Sequence, residues 1–151
     1  MNAPNAWPQA DSIHLVLSSL GAVVVDASGV RSVRATDATG SFGLLPGHED
    51  LLAVLSVGLL SWRDAQGAWH WCAVRGGVLT LRDGCELHIA SREAILGDDP
   101  AQLETTVLEQ LRQRQQTEDH ARRTSHQIEV QLLRQFQPGK ADGRTAPGVW
   151  P

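Results

Sequence analysis

Histidine and cysteine are the residues of this chain with metal-ligating chemistry. His70 and Cys72 stand two positions apart, and Cys85 and His88 three apart. A spacing of two follows one face of a strand. Zinc sites carry tighter paired ligands such as CxxC, which is absent here. No metal is expected. Serine, histidine and aspartate are plentiful, yet no spacing nominates a triad, and GxSxG and HExxH do not occur. The phosphate-cradling GxxxxGK[ST] and GxGxxG patterns are missing too. We expect no catalytic residue, no nucleotide site and no cofactor.

What remains is recognition chemistry. His48 is the histidine set in a glycine–proline loop, Gly40-Ser41-Phe42-Gly43-Leu44-Leu45-Pro46-Gly47-His48. Glycine allows backbone angles closed to other residues and proline fixes φ. Phe42 and Leu45 can bury part of the segment while His48 projects from it. A rigid loop on a sheet is a docking surface; the alternative is a tight strand connection with a hydrogen-bonded histidine. Trp69 and Trp71 share one strand face and offer either a sugar platform or core packing. Trp7 and Trp150 lie near the two ends and would be ordered by a partner.

These residues need elements to hold them. The first 97 residues contain 11 of the 14 glycines and read as short strands broken by turns. Strands are expected over 12–17, 22–27, 30–36, 59–63, 68–75, 78–82 and 85–90, with a turn at Gly76-Gly77 and a hairpin at Asp83-Gly84. Such spacing without intervening helices predicts a β-sandwich over residues 11–97. From Ala101 to Phe136 there is no glycine or proline. Asp98-Asp99-Pro100 is a helix start. Leu103, Val107, Leu108 and Leu111 form one apolar stripe, and Ala121, Ser125, Ile128, Leu132 and Phe136 a second. The polar stretch Gln113 to Asp119 separates them, so a two-helix hairpin is expected over residues 98–137. The fold class is therefore α+β in two parts: a mainly β N-terminal sandwich, then a C-terminal α-helical hairpin. Residues 1–10 and 138–151 are expected to be flexible.

The chain has 151 residues, 42% hydrophobic and 20% charged, with a formal charge of −4. That composition argues against global disorder. The acidic balance disfavours nucleic acid as a partner. The longest greasy run, Leu51 to Trp62, falls short of the ~20 residues a spanning helix needs, so no membrane insertion is expected. No secretory signal opens the sequence, and Cys72 and Cys85 are expected as reduced thiols. Acidic residues lead the helical part, and Arg112, Arg114, Arg122, Arg123 and Arg134 follow, which complements the helix dipole.

The loop Gly40 to His48, then Leu51-Leu52, Gly58 and Gly76-Gly77-Val78-Leu79, together resemble the epsilon subunit of F-type ATP synthases. The resemblance runs over about residues 12–137. It implies a non-catalytic rotor subunit of the central stalk that clamps the gamma shaft onto the c-subunit ring, on the cytoplasmic face of the inner (plasma) membrane. Ser41, Phe42, Gly43, Leu45 and His48 would meet the ring. Arg114, Arg122, Arg123 and Arg134 would meet the beta subunits of the catalytic head through an inhibitory helical arm. Ser41 stands where the family often has an acidic residue. The [IL]-D-x-x-R-A pattern linked to ATP binding is missing around Leu96 to Leu103. The stretch from Arg123 to Arg134 is similar to the alternative, sodium-type branch. Two other readings stay open: a small sugar-binding β-sandwich module, and an adaptor that dimerises through residues 101–137.

Overall fold

In β1 (Ile13–Ser19), Ile13, Leu15 and Leu17 are fully buried and alternate with half-buried neighbours, as the two-residue strand period requires. The computed structural model describes residues 10–136. Trp7, Trp150 and the expected flexible ends, apart from Ala10, lie outside the described residues. Seven further strands follow: β2 (Ala22–Val30), β3 (Ser32–Asp37), β4 (Gly40–Leu44), β5 (Leu51–Arg63), β6 (Trp69–Arg82), β7 (Glu86–Ser91) and β8 (Ala94–Gly97). They are hydrogen-bonded in the order β2-β1-β7-β6-β5-β3-β4, with β8 also on β6.

The long strands β5 and β6 belong to both layers of the resulting sandwich. Residues 78–82 of β6 pair with β7, and residues 71–74 pair with β8. The crossing lies at Gly76-Gly77. Below it Leu79 and Leu81 face the core; above it Cys72 and Val74 do. The inward phase thus shifts from odd to even positions, and β5 shifts with it, from Leu55 to Leu60 and Trp62. The expected turn at Gly76-Gly77 is therefore a bend inside one strand. The positive φ angles, 66° and 130°, supply the bend that a turn would also have used. β5 begins at Leu51 rather than Leu59, and residues 40–44 and 94–97 are strands that alternation had not signalled.

The upper half of β5 and β6 has an apolar outer face as well. Val57, Leu59, Trp71 and Ala73 pack against Leu103, Leu108 and Leu111. Asp99 starts the helical region: its side chain accepts the Ala101 N–H at 3.0 Å, and Pro100 takes the first position. A first turn, α1 (Pro100–Gln102), runs into a π-helical stretch (Leu103–Val107) and then into α2 (Leu108–Phe136). No hairpin forms. The polar stretch Gln113 to Asp119 is helical. Glutamine, arginine and glutamate are good helix formers, so the lack of apolar side chains removes a packing stripe without breaking the backbone.

The chain divides into two compact units, Met1–Gln115 and Gln116–Pro151. The first holds the sandwich and the opening helical turns. The second is helical over its described residues, with Ile128, Leu132, Leu133 and Phe136 exposed.

Candidate functional site

The glycine–proline segment is half strand and half turn. Asp37 opens the β3–β4 connection: its Oδ1 accepts the Thr39 N–H at 2.8 Å and the Thr39 hydroxyl at 2.6 Å. Those bonds hold its carboxyl below the ordinary aspartate range. β4 then pairs with β3, placing Phe42 opposite Ala35 and Leu44 opposite Val33. Phe42 and Leu44 face inward, while Ser41, Gly43 and Leu45 are exposed.

After Leu45 the chain turns at Pro46-Gly47, and the His48 N–H donates to the Leu45 carbonyl at 3.2 Å. This turn is locked to a second one. Asp83 and Gly84, both with positive φ, form the expected hairpin turn, in which the Cys85 N–H donates to the Arg82 carbonyl at 3.1 Å. The Gly47 N–H donates to the Gly84 carbonyl at 2.9 Å, and the Asp83 N–H to Asp50 Oδ1 at 2.9 Å. Backbone touches backbone: a Cβ on Gly84 would lie 2.6 Å from Gly47 Cα. His48 Nδ1 donates to the Glu49 carbonyl at 2.8 Å, which leaves Nε2 as the acceptor of the neutral ring.

Beside these turns lies a cleft of about 520 Å³, lined by Phe42, His48, Leu52, Val54, Asp37 and Thr39 among others. Leu52 is 67% exposed and Val54 68%. Val78 of β6, directly opposite Val54, continues the apolar strip and is 42% exposed. Exposed apolar side chains gathered on a stiff base form a surface for partner docking. They hold no bond-making constellation.

The five residues expected to act together divide between two faces. Phe42 and His48 meet in the cleft. Gly43 borders that cleft as well as a hollow of about 220 Å³, which Leu45 shares with Arg34 and Trp69, and Ser41 lines neither. Leu52 and Val54 were missed as surface residues. Their signal was present: Leu51 to Leu55 is apolar at every position, so a strand there must show apolar side chains on both faces.

The arginines separate as well. Arg114 is bound to the sandwich: its Nη1 lies 2.6 Å from Glu93 Oε1, while Glu93 Oε2 accepts from Arg75 Nε at 3.1 Å. Arg122, Arg123 and Arg134 are exposed in the second unit. The suspected metal ligands are not gathered. Cys72 lies in the core, where burial pushes its thiol up to about 12. His70 pairs with Asp64 at 2.7 Å and stacks on Trp62. No group of three or more metal-ligating side chains occurs among the described residues. Trp69 is exposed but Trp71 is half-buried against the helical cluster, so they do not present two open rings.

Comparison with known proteins gives a consistent result. Residues 12–97 match the family described as ATP synthase, Delta/Epsilon chain, beta-sandwich domain. An ATP synthase epsilon chain 2 of Cereibacter sphaeroides is 41% identical over 123 residues, 82% of this chain and 84% of that one. Its counterpart in Paraburkholderia xenovorans is 36% identical over 135 residues, 87% of this chain and 97% of that one. Among solved structures, a chain of the Euglena gracilis mitochondrial ATP synthase OSCP/F1/c-ring assembly superposes with a TM-score of 0.57 at 20% identity, covering 72% of this chain and 69% of that one. A chain of the Tetrahymena thermophila mitochondrial ATP synthase central stalk and c ring gives 0.51 at 14% identity, covering 65% and 74%. At those identities the two structures establish a shared fold.

Proposed function

The chain belongs to the ATP synthase delta/epsilon family, and on that premise we propose that it is the non-catalytic central-stalk subunit joining the gamma shaft to the c ring. The observation that carries this reading is the pair of interlocked turns, Pro46-Gly47 and Asp83-Gly84, standing beside exposed Leu52 and Val54. A part that transmits torque needs stiffness and two adhesive surfaces rather than reactive groups. The interlock supplies stiffness, and the cleft with Phe42 and His48 supplies an apolar surface for the ring. Gly43 borders the same cleft, while Leu45 and Ser41 lie outside it and would touch the ring at its margin or the shaft.

No described helix is long and apolar enough to cross a membrane. Attachment to the cytoplasmic face of the membrane would then come through the ring. The exposed arginines 122, 123 and 134, with the stripe Ile128, Leu132 and Phe136, make the second unit a candidate brake on the catalytic head through its beta subunits. Arg114 would join them only after leaving Glu93.

The test is co-purification of the whole chain with its cognate gamma subunit and c ring. The unaltered chain should form a stable complex with gamma, and failure to do so would end the central-stalk reading. The double variant Leu52→Asp/Val54→Asp should fold, since both side chains are about two-thirds exposed, and should lose the ring while keeping gamma. Full retention of the ring would move the contact away from the cleft.

A further inference from the structure

The edge of the sandwich between β2 and the β6–β8 pair holds a second cleft, of about 480 Å³. Three tryptophans line it: Trp62, Trp69 and Trp71. Trp62 is only 4% exposed and holds its ring nearly parallel to the imidazole of His70, with centroids 5.5 Å apart and 15° between planes. His70 also lines the cleft, and Asp64 fixes it from behind, Nε2 to Oδ2 at 2.7 Å. Asp64 is in turn pinned by the N–H groups of Gln66 and Ala68, each at 2.9 Å. The Trp62–His70 stack is therefore set before any ligand arrives, and Trp69, 43% exposed, is the indole left open in the cleft.

Val24 and Val25 form the facing wall. The β1–β2 ladder pairs Leu17 with Val25 and Ser18 with Val23, so Val24 is an extra residue in β2. A bulge re-aims side chains; here two successive valines line one cleft. β2 also ends the strand order, with β1 as its neighbour on the other side. Among the described residues no other strand pairs with it, so its outer N–H and C=O groups form an edge. Asp98 contributes an exposed carboxylate, and no lysine or arginine among the described residues lines the space.

Each feature selects the same chemistry. Indole faces attract cations more strongly than other rings do. A guanidinium is flat, weakly hydrated and stacks well on aromatic rings. Asp98 supplies the opposite charge. A free strand edge recognises an extended backbone, and the cleft is too large for a single side chain. We propose that this cleft binds an extended, arginine-bearing segment of a partner polypeptide, its guanidinium against the Trp69 ring near Asp98 and its backbone along the edge of β2.

The probe is the peptide Ac-Val-Arg-Val-Arg-Val-NH2, titrated into the full ¹⁵N-labelled chain and followed by NMR. Its citrulline analogue and maltohexaose are run in parallel. The arginine peptide should shift the Trp69 indole and the Val23, Val24 and Val25 amides saturably, and citrulline should weaken binding about tenfold. Asp98→Asn and Trp69→Leu should each weaken it several-fold. If Trp69→Leu does not fold, Asp98→Asn decides alone, since Asp98 is exposed and outside the core. The proposal falls if no saturable shift appears, if citrulline binds equally well, if maltohexaose moves the same indoles, or if the Val23 to Val25 amides stay still.

Discussion

Among single residues, His14 carries a pH dependence that its sequence position gave no hint of. Its Nε2 lies 2.6 Å from Asp26 on β2, and its Nδ1 3.2 Å from Glu86 on β7. His88 stands 3.8 Å from the same Glu86 oxygen. The hydrogen bond to Asp26 is the largest influence raising its pKa above the ordinary 6.5; the Glu86 bond adds to it, and desolvation opposes both. A raised folded-state pKa contributes stability that is complete below the unfolded value and is lost as pH rises through the folded one. Urea melts should show the chain weakening above pH 6.5 relative to His14→Gln, and parallel pH curves for the two would remove the effect. Gly77 offers a sharper contrast. A Cβ there would sit 2.1 Å from the Ala90 carbonyl oxygen at φ 130°, whereas Gly40 has nearly the same φ, 128°, in open space. Gly40→Ala isolates backbone strain, about 1 kcal/mol, and Gly77→Ala adds a clash and should exceed about 3 kcal/mol. Equal losses in thermal melting would mean that β6 and β7 simply move apart.

At the scale of elements, helix and strand types were readable where a residue pattern has one physical solution. Asp99-Pro100 could only begin a helix, and Asp83-Gly84 made the turn it signalled. Gly76-Gly77 has two solutions, a turn or a bend within a strand, and the choice lies with β7 and β8, which both pair on that side of β6. The polar stretch after Leu111 likewise lacks apolar contacts whether it bends or stays helical, and local propensity keeps it helical. The candidate docking face was legible in its glycines, while its division into two sides depended on β4 being a strand. The tie between Glu93 and the helix was invisible because its partners are 21 and 18 positions apart. That tie has unequal halves. Arg114 is 57% exposed, and an exposed pair is worth ~0–1 kcal/mol, so Arg114→Ala should cost less than about 1 kcal/mol. Arg75 is 8% exposed, so Glu93→Ala takes a carboxylate from a buried guanidinium and should cost about 3 kcal/mol. Chemical denaturation of both variants reads the difference, and equal losses would show that Glu93 acts on the helix alone.

For the whole molecule, the division after Gln115 rather than at the end of the strands decides how the proposed brake can be tested apart from the proposed clamp. Leu103, Leu108 and Leu111 cover the outer face formed by Val57, Leu59, Trp71 and Ala73. Removing everything after Gly97 uncovers that face, and with several large side chains exposed the remainder should aggregate or melt early. Removing residues 116–151 leaves the cover in place. What it takes away includes Arg122, Arg123 and Arg134 and a stripe whose members, Ile128, Leu132 and Phe136, are 49–80% exposed. An exposed apolar stripe of this kind is suited to a partner surface, which under the proposed function would be the catalytic head. The shorter chain should therefore bind gamma and the c ring like the full one while the assembled enzyme hydrolyses ATP faster. Replacing the three arginines by alanine should reproduce part of that increase. Assembly that fails with the shorter chain would assign the second unit to holding the stalk together, and unchanged hydrolysis with normal assembly would leave it without a braking role.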